Sequence, residues 1–150
     1  MNIRKLNPTE TPPIDLLLEA DPSKTKIESY LRHGSCFIAE TNNHISGIYV
    51  MIPTSPDTAE VMNISVKEAD QGKGIGKKLI HHAIEQARLQ GYAYLEVGTA
   101  NSSINQIAFY QKCGFRMTAI DHDFFLRHYE EPIFENGIQC RDMVRFRYNL

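Results

Sequence analysis

The sequence of 150 residues has no tryptophan and only three cysteines, Cys36, Cys113 and Cys140. Three is an odd number, the spacings are wide, and no pair has the CxxC pattern. A disulfide framework, a zinc site and a dithiol redox site are therefore not expected, and no metal site is read from the sequence. Long apolar runs are also missing. The longest, Ile45 to Ile52, is broken by Ser46 and Gly47 and falls far short of the ~20 residues that cross a bilayer. The first residues, Met1-Asn2-Ile3-Arg4-Lys5-Leu6, lack the apolar core of a secretory signal. No membrane partner is expected, and a reduced cytoplasmic location is. Nor is there an excess of one charge: 16 Lys and Arg stand against 18 Asp and Glu, for a net charge of −2. That gives no basic footprint with which to neutralise phosphates, so nucleic acid is not an expected partner. What is present is a globular composition, 42% hydrophobic and 23% charged. The length suits a single domain over residues 1–150 with a core that needs no disulfide staple, and it leaves no room for a separate regulatory domain.

Apolar periodicity orders the chain into short elements. Asn2 to Leu6 alternates weakly, as an edge strand does, and Thr11-Pro12-Pro13 ends it. Ile14 to Ala20 has helical spacing, and Ser23 is placed to cap a second helix reaching about Arg32. Cys36–Ala39 and Ile45–Ile52 form a hairpin across Asn42-Asn43, with Pro53 expected to end the return strand. Glu60 to Val66 is a strand with Met62, Ile64 and Val66 on one face. A long helix covers about Gly74 to Gln90, with Ile75, Leu79, Ile80, Ala83, Ile84 and Ala87 in one stripe. Tyr94–Val97, a helix over Ile104–Cys113, and strands at Arg116–Ile120 and Gln139–Arg147 follow, with an irregular stretch over 123–137. Antiparallel strands first, then alternating strands and helices, predict an α+β fold.

The strongest local signal is Gln71-Gly72-Lys73-Gly74-Ile75-Gly76-Lys77, between a strand and the long helix. Glycines permit positive φ and close backbone approach. A helix start offers unpaired N–H groups and a positive dipole end, so the loop suits a pyrophosphate. Spacing narrows the choice. The triphosphate loop requires Gly-Lys-Ser/Thr where Lys77-Lys78 stands, and the dinucleotide fingerprint requires a third glycine where Lys77 stands.

Gln71-x-x-Gly74-x-Gly76 resembles the acetyl-CoA pyrophosphate motif of the GNAT acyltransferase superfamily. Downstream, Tyr110-Gln111-Lys112-Cys113-Gly114-Phe115 is similar to its second signature, a tyrosine followed by a short run ending in Gly-Phe. The order and separation of the two agree with that family from about Glu60 to Phe115. The resemblance implies a mostly antiparallel mixed sheet flanked by helices, and acetyl-CoA as co-substrate. It implies that the main chain of Ile64, Ser65 and Val66 binds the pantetheine arm and that Gln71 through Lys77 hold the pyrophosphate. Tyr110 would be the general acid that protonates the departing thiolate, and strand N–H groups would polarise the oxyanion. Glu60, 11 residues before Gln71, would be the base that deprotonates the attacking amine. The family often places a cofactor-contacting Asn at the position held here by Ser103. Asn101 and Asn105 flank it, and either could take that role or a capping role.

Other residues read as bland. His81 and His82 are adjacent and diverge on a helix, so they cannot share a ligand and read as surface histidines. Cys113 reads as a buried structural thiol. From Asp121 to Asp142 six carboxylates face two arginines, with Phe124, Phe125, Tyr129, Ile133 and Phe134 interleaved. Such a segment suits a small cationic amine by charge and cation–π contact, and suits equally a solvated loop anchored by aromatics. The leading expectation is an N-acetyltransferase acting on a primary amine by direct attack. A non-catalytic CoA-binding sensor, or an acyltransferase for another acyl group or an oxygen acceptor, are the alternatives. The terminal strand Gln139–Arg147 is placed to pair across a homodimer.

Overall fold

In the computed structural model, which describes residues 1–150, β1 (Asn2–Lys5) leads into two short helices, α1 (Ile14–Ala20) and α2 (Lys24–His33). A meander of β2 (Ser35–Thr41), β3 (His44–Ser55) and β4 (Thr58–Val66) follows. A single 3-10 turn at Glu68–Asp70 precedes α3 (Ile75–Leu89), β5 (Tyr94–Ala100), α4 (Ile104–Lys112) and β6 (Arg116–Asp121). The chain closes with the short α5 (Phe124–His128), a small hairpin of β7 (Phe134–Glu135) and β8 (Ile138–Gln139), and β9 (Met143–Asn149).

Local chemistry explains these boundaries. The Ser23 hydroxyl accepts from the N–H of Lys26 at 3.2 Å and starts α2. Asn42 and Asn43 sit at φ 50° and 65°, the pair of positive values that a tight hairpin turn between β2 and β3 requires. Pro53 does not end β3, which continues to Ser55 where its register with β4 becomes irregular.

The main sheet runs β1-β2-β3-β4-β5-β9-β6, antiparallel throughout except for β4 against β5. It is a mixed, mostly antiparallel central sheet flanked by helices in an α+β fold, as expected. One face packs against α3 and α4. There the whole stripe from Ile75 to Ala87 is buried with Phe37, Tyr49, Val61, Leu95, Val97 and Phe146. The other face carries α1 and α2 over β2–β4, around Leu17, Ile27, Ile38, Ile48 and Val50.

Two irregularities set the course of β4. Its register with β3 slips between Val50 and Met51, leaving Met62 without a partner. The simple alternation of Met62, Ile64 and Val66 is therefore corrected. Met62 packs toward the α1–α2 core, while Ile64 and Val66 pack toward the larger one. Pairing with β5 is confined to Thr58–Val61 against Tyr94–Val97, so beyond Val61 the two strands part.

The expected strand over Gln139–Arg147 is broken. Residues 140–142 leave the ladder because the Asn101 Oδ1 takes the N–H groups of Arg141 and Asp142 at 2.8 and 3.0 Å. The remaining β9 lies between β5 and β6, with both edges paired. It cannot extend the sheet into a second molecule, and the expected dimer through this strand is overturned. No helix is long and apolar enough to cross a membrane.

Candidate active site

Where β4 and β5 part, a groove with a cavity volume of about 430 Å³ opens. One wall is the free stretch of β4, the floor is the glycine loop with the start of α3, and the other wall is α4. The N–H of Lys67 donates to the Ser46 carbonyl at 2.9 Å. By antiparallel alternation the main chain of Ser65 turns toward β3, while that of Ile64 and Val66 turns toward the groove. Ser65 contributes its place in the wall and a hydroxyl that donates to Asn63 Oδ1 at 3.1 Å.

The glycine loop is a row of open donors. None of the main-chain N–H groups from Gly72 through Lys77 has a protein acceptor, and the first helical bond of α3 runs from Lys78 N–H to the Gly74 carbonyl. Gly72 and Gly74 hold φ of 79° and 81° with nothing within 4 Å of a built Cβ. These glycines therefore serve the backbone conformation, not a tight contact. The α3 dipole adds partial positive charge at this end, so the donor set fits a diphosphate. Gln71 donates its Nε2 back to the Val66 carbonyl at 3.0 Å and braces the loop against the strand. The Lys73 ammonium lies outside the groove, 3.6 Å from the Asp70 carboxylate, while Lys77 lines it.

Tyr110 lines the opposite wall and is 3% exposed. Phe109, Phe115 and Phe146 surround its ring at centroid distances of 5.4, 6.0 and 5.6 Å. Its hydroxyl makes no hydrogen bond to another protein group. Burial pushes its ionisation above the ordinary phenol range, which keeps the proton on the oxygen and makes Tyr110 a donor. Asn105 lines the groove. Asn101 does not; its side chain holds residues 139–142 through three hydrogen bonds, which corrects its expected contact with the cofactor. Asp70, Gln106 and Phe109, which no sequence expectation named, also stand in the lining. Gln106 and Phe109 were reachable, since they stand four residues from Tyr110 and Asn105 on the same helix face.

Glu60 is not in the groove wall. Both its oxygens are engaged by Arg145, at 2.7 and 3.3 Å. Arg145 also approaches Glu96 at 3.9 Å, and Glu96 in turn holds Arg147. The expected base is thus an anchor in a charge ladder on the face not covered by α3 and α4. On that same face a chain of hydrogen bonds leaves β4. Asn63, 3% exposed, donates to the Leu17 carbonyl and to the Tyr30 hydroxyl at 2.9 and 2.8 Å. The Tyr30 hydroxyl reaches Asp21 Oδ2 at 3.4 Å, and the Tyr129 hydroxyl donates to Asp21 Oδ1 at 2.8 Å. The segment after β6 is thereby tied to the turn between α1 and α2.

The acidic stretch is largely paired within itself. Asp121 binds Arg127, Asp123 lies near Arg141, Asp142 near His122, and Glu135 accepts from Ser103. Only Glu130 and Glu131 make no ion pair or side-chain hydrogen bond. His82 is half-buried and not a free surface residue: its Nδ1 meets the buried Tyr49 hydroxyl at 2.7 Å and its ring packs on Phe37. Cys113 is buried, and burial pushes its thiol ionisation to higher pH, which keeps it protonated.

Residues 3–115 match the model of the acetyltransferase (GNAT) family. The chain is similar to the uncharacterized N-acetyltransferase YvbK of Bacillus subtilis, with 54% identity over all of both chains. Its structure is similar to that of a Bacillus subtilis acetyltransferase in complex with CoA, with 54% identity, a TM-score of 0.94 and coverage of 99% of this chain and 97% of that one. A GNAT family acetyltransferase from Elizabethkingia anophelis with acetyl-CoA bound gives 44% identity and a TM-score of 0.98, over 99% and 97% of the two chains.

Proposed function

The chain belongs to the GNAT acetyltransferase family, and from that premise we propose that residues 1–150 act as one domain transferring the acetyl group to the primary amine of a small, cationic acceptor. Acetyl-CoA is the co-substrate and supplies an activated thioester. The open N–H groups from Gly72 through Lys77 hold the diphosphate, with Lys77 beside them. The groove-facing main chain of Ile64 and Val66 takes the amide-rich arm by strand-like pairing, and Asn105 contributes from α4. The amine, having lost its ammonium proton to solvent, attacks as its free base, and the proton that leaves its nitrogen as the C–S bond breaks passes through solvent to restore Tyr110. Strand N–H groups stabilise the developing oxyanion, and Tyr110 gives its proton to the departing sulfur. Glu60, gripped through both oxygens, holds Arg145 in place instead of acting as the base.

The observation that carries this reading is the unpartnered Tyr110 hydroxyl, which opens into the groove from an otherwise buried ring, across from a row of unpaired amide donors. The case for a cationic acceptor narrows to Glu130 and Glu131, the two carboxylates of the acidic stretch left unpaired. The test is a panel of primary amines assayed with acetyl-CoA by release of free thiol. Cationic amines should be preferred, and Tyr110→Phe should lower kcat by ~10²–10⁴-fold with CoA affinity retained. An undiminished kcat in Tyr110→Phe removes the proposed acid. Preference for neutral amines removes the charge argument.

A further inference from the structure

Eight large apolar side chains stand exposed, and six of them lie between residues 104 and 138. Two of the six, Met117 and Ile120, are on β6, the outermost strand at this end of the sheet, whose residues are exposed from Arg116 through Ile120. An uncovered edge strand presents unpaired main-chain groups and is a template for another strand unless it is blunted. The opposite edge, β1, is short and its Arg4 is held by Glu10 and Glu40.

The side chains of β6 have a particular symmetry. Its register with β9 slips between Met117 and Ala119, which inserts Thr118. Met117 and Ile120 therefore stand opposite Phe146 and Val144, on the face toward α3 and α4. Arg116, Ala119 and Asp121 stand opposite Arg147, Arg145 and Met143, on the other face. The strand thus reads the same in both directions: a charge at each end, an apolar residue next to each charge, and two small residues at the centre. The terminal charges are opposite. Arg116 makes no ion pair within the chain, and Asp121 is bound by Arg127 through Oδ1 alone.

We propose that β6 pairs antiparallel with β6 of a second copy of this chain, about a two-fold axis between Thr118 and Ala119. In that register Arg116 meets Asp121 of the second copy, and Met117 meets Ile120. Each pair lies on one face, as directly opposed residues must. The contact is isologous, so it closes at two copies instead of propagating.

Light scattering on size-exclusion chromatography, with sedimentation equilibrium, tests this on the full chain. The expected species has twice the 17.1 kDa chain mass. Arg116→Asp and Asp121→Arg each set like charges opposite one another twice, and each should raise the dimer dissociation constant on the order of 10-fold or more. The double variant R116D/D121R restores complementarity and should recover the dimer. Circular dichroism melts confirm that each variant is folded, and Ile120→Arg gives a second break that leaves the Asp121–Arg127 pair intact. A wild-type chain that stays monomeric at ~100 μM overturns the proposal. So does a dimer that ignores both charge reversals, or a folded double variant that remains monomeric.

Discussion

Around the glycine loop the chain leaves its polar groups open. From Gly72 through Lys77 the amides have no protein acceptor, and across the groove the Tyr110 hydroxyl has none either. In the segment after β6 the arrangement is reversed. There Asp121, Asp123, Glu135, Asp142 and Tyr129 all have partners, and Asn101 and Asn136 fasten the loop through backbone groups. A surplus of unpaired donors in one place and a closed network in the other teach different things. The first marks where a ligand of fixed chemistry must complete the structure. The second marks a segment held in shape by its own contacts.

Substitutions can break or sharpen that contrast. Beyond the loss of turnover expected for Tyr110→Phe, the largest effect should come from Asn63, which joins the two regions. Asn63→Ala removes three buried hydrogen bonds, leaves the Ser65 hydroxyl without its acceptor, and opens a void. It should destabilise the fold by ~2–3 kcal/mol in a urea titration. Gly74→Ala meets no neighbour but forces an L side chain into the left-handed region. The empty loop relaxes out of that region, so the strain of ~1–2 kcal/mol is met on binding: acetyl-CoA affinity should weaken by about 10-fold in calorimetry, while the melting temperature of the unliganded chain moves little. Tyr129→Phe deletes one bond to Asp21 and should lower stability by ~0.5–1.5 kcal/mol. Hydrogen exchange should quicken in residues 121–142, and acetyl-CoA affinity should stay as it was, since the closed network does not line the groove. The smallest effect concerns His82. Burial lowers its ionisation below the ordinary value of 6.5, so the unfolded chain takes up the proton more readily than the folded one. Its contribution is present above pH 6.5 and is lost as pH falls through the folded value. Melting temperature should fall between pH 7 and pH 5.5, and by less in His82→Gln.

The same contrast explains what could be read from the sequence. The glycine spacing, the Tyr110 signature and the α3 stripe are local patterns set by backbone conformation and helical period, and the structure carries each where it was read. The side-chain networks join residues far apart in the chain. Asn63 reaches back 33 and 46 residues to Tyr30 and Leu17, Arg145 forward 85 from Glu60, and Tyr129 across 108 to Asp21. Glu60 therefore looked free when taken alone. The diverging directions of His81 and His82 were right, but the pattern did not say that one of them turns inward to Tyr49. Met62 was misread for a similar reason: an apolar residue in a bulge satisfies the same alternation as one in register. Asn101 looked like a ligand contact because its neighbourhood did, yet the loop it holds begins 38 residues later.

The parting of β4 from β5 after Val61 also bears on how much the fold weighs without its substrate. A strand paired on both sides for four residues and on one side thereafter is half interior and half edge. Whatever lies along Ile64 and Val66 acts as the next strand of the sheet for as long as it is bound. Binding and folding then draw on the same free energy. At a hundred times its dissociation constant acetyl-CoA adds ~2.7 kcal/mol to unfolding, which for a chain of this length is several degrees in a thermal melt. The substrate is thereby also a stabilising part of the architecture, and resistance of this chain to unfolding and proteolysis rises and falls with the supply of acetyl-CoA.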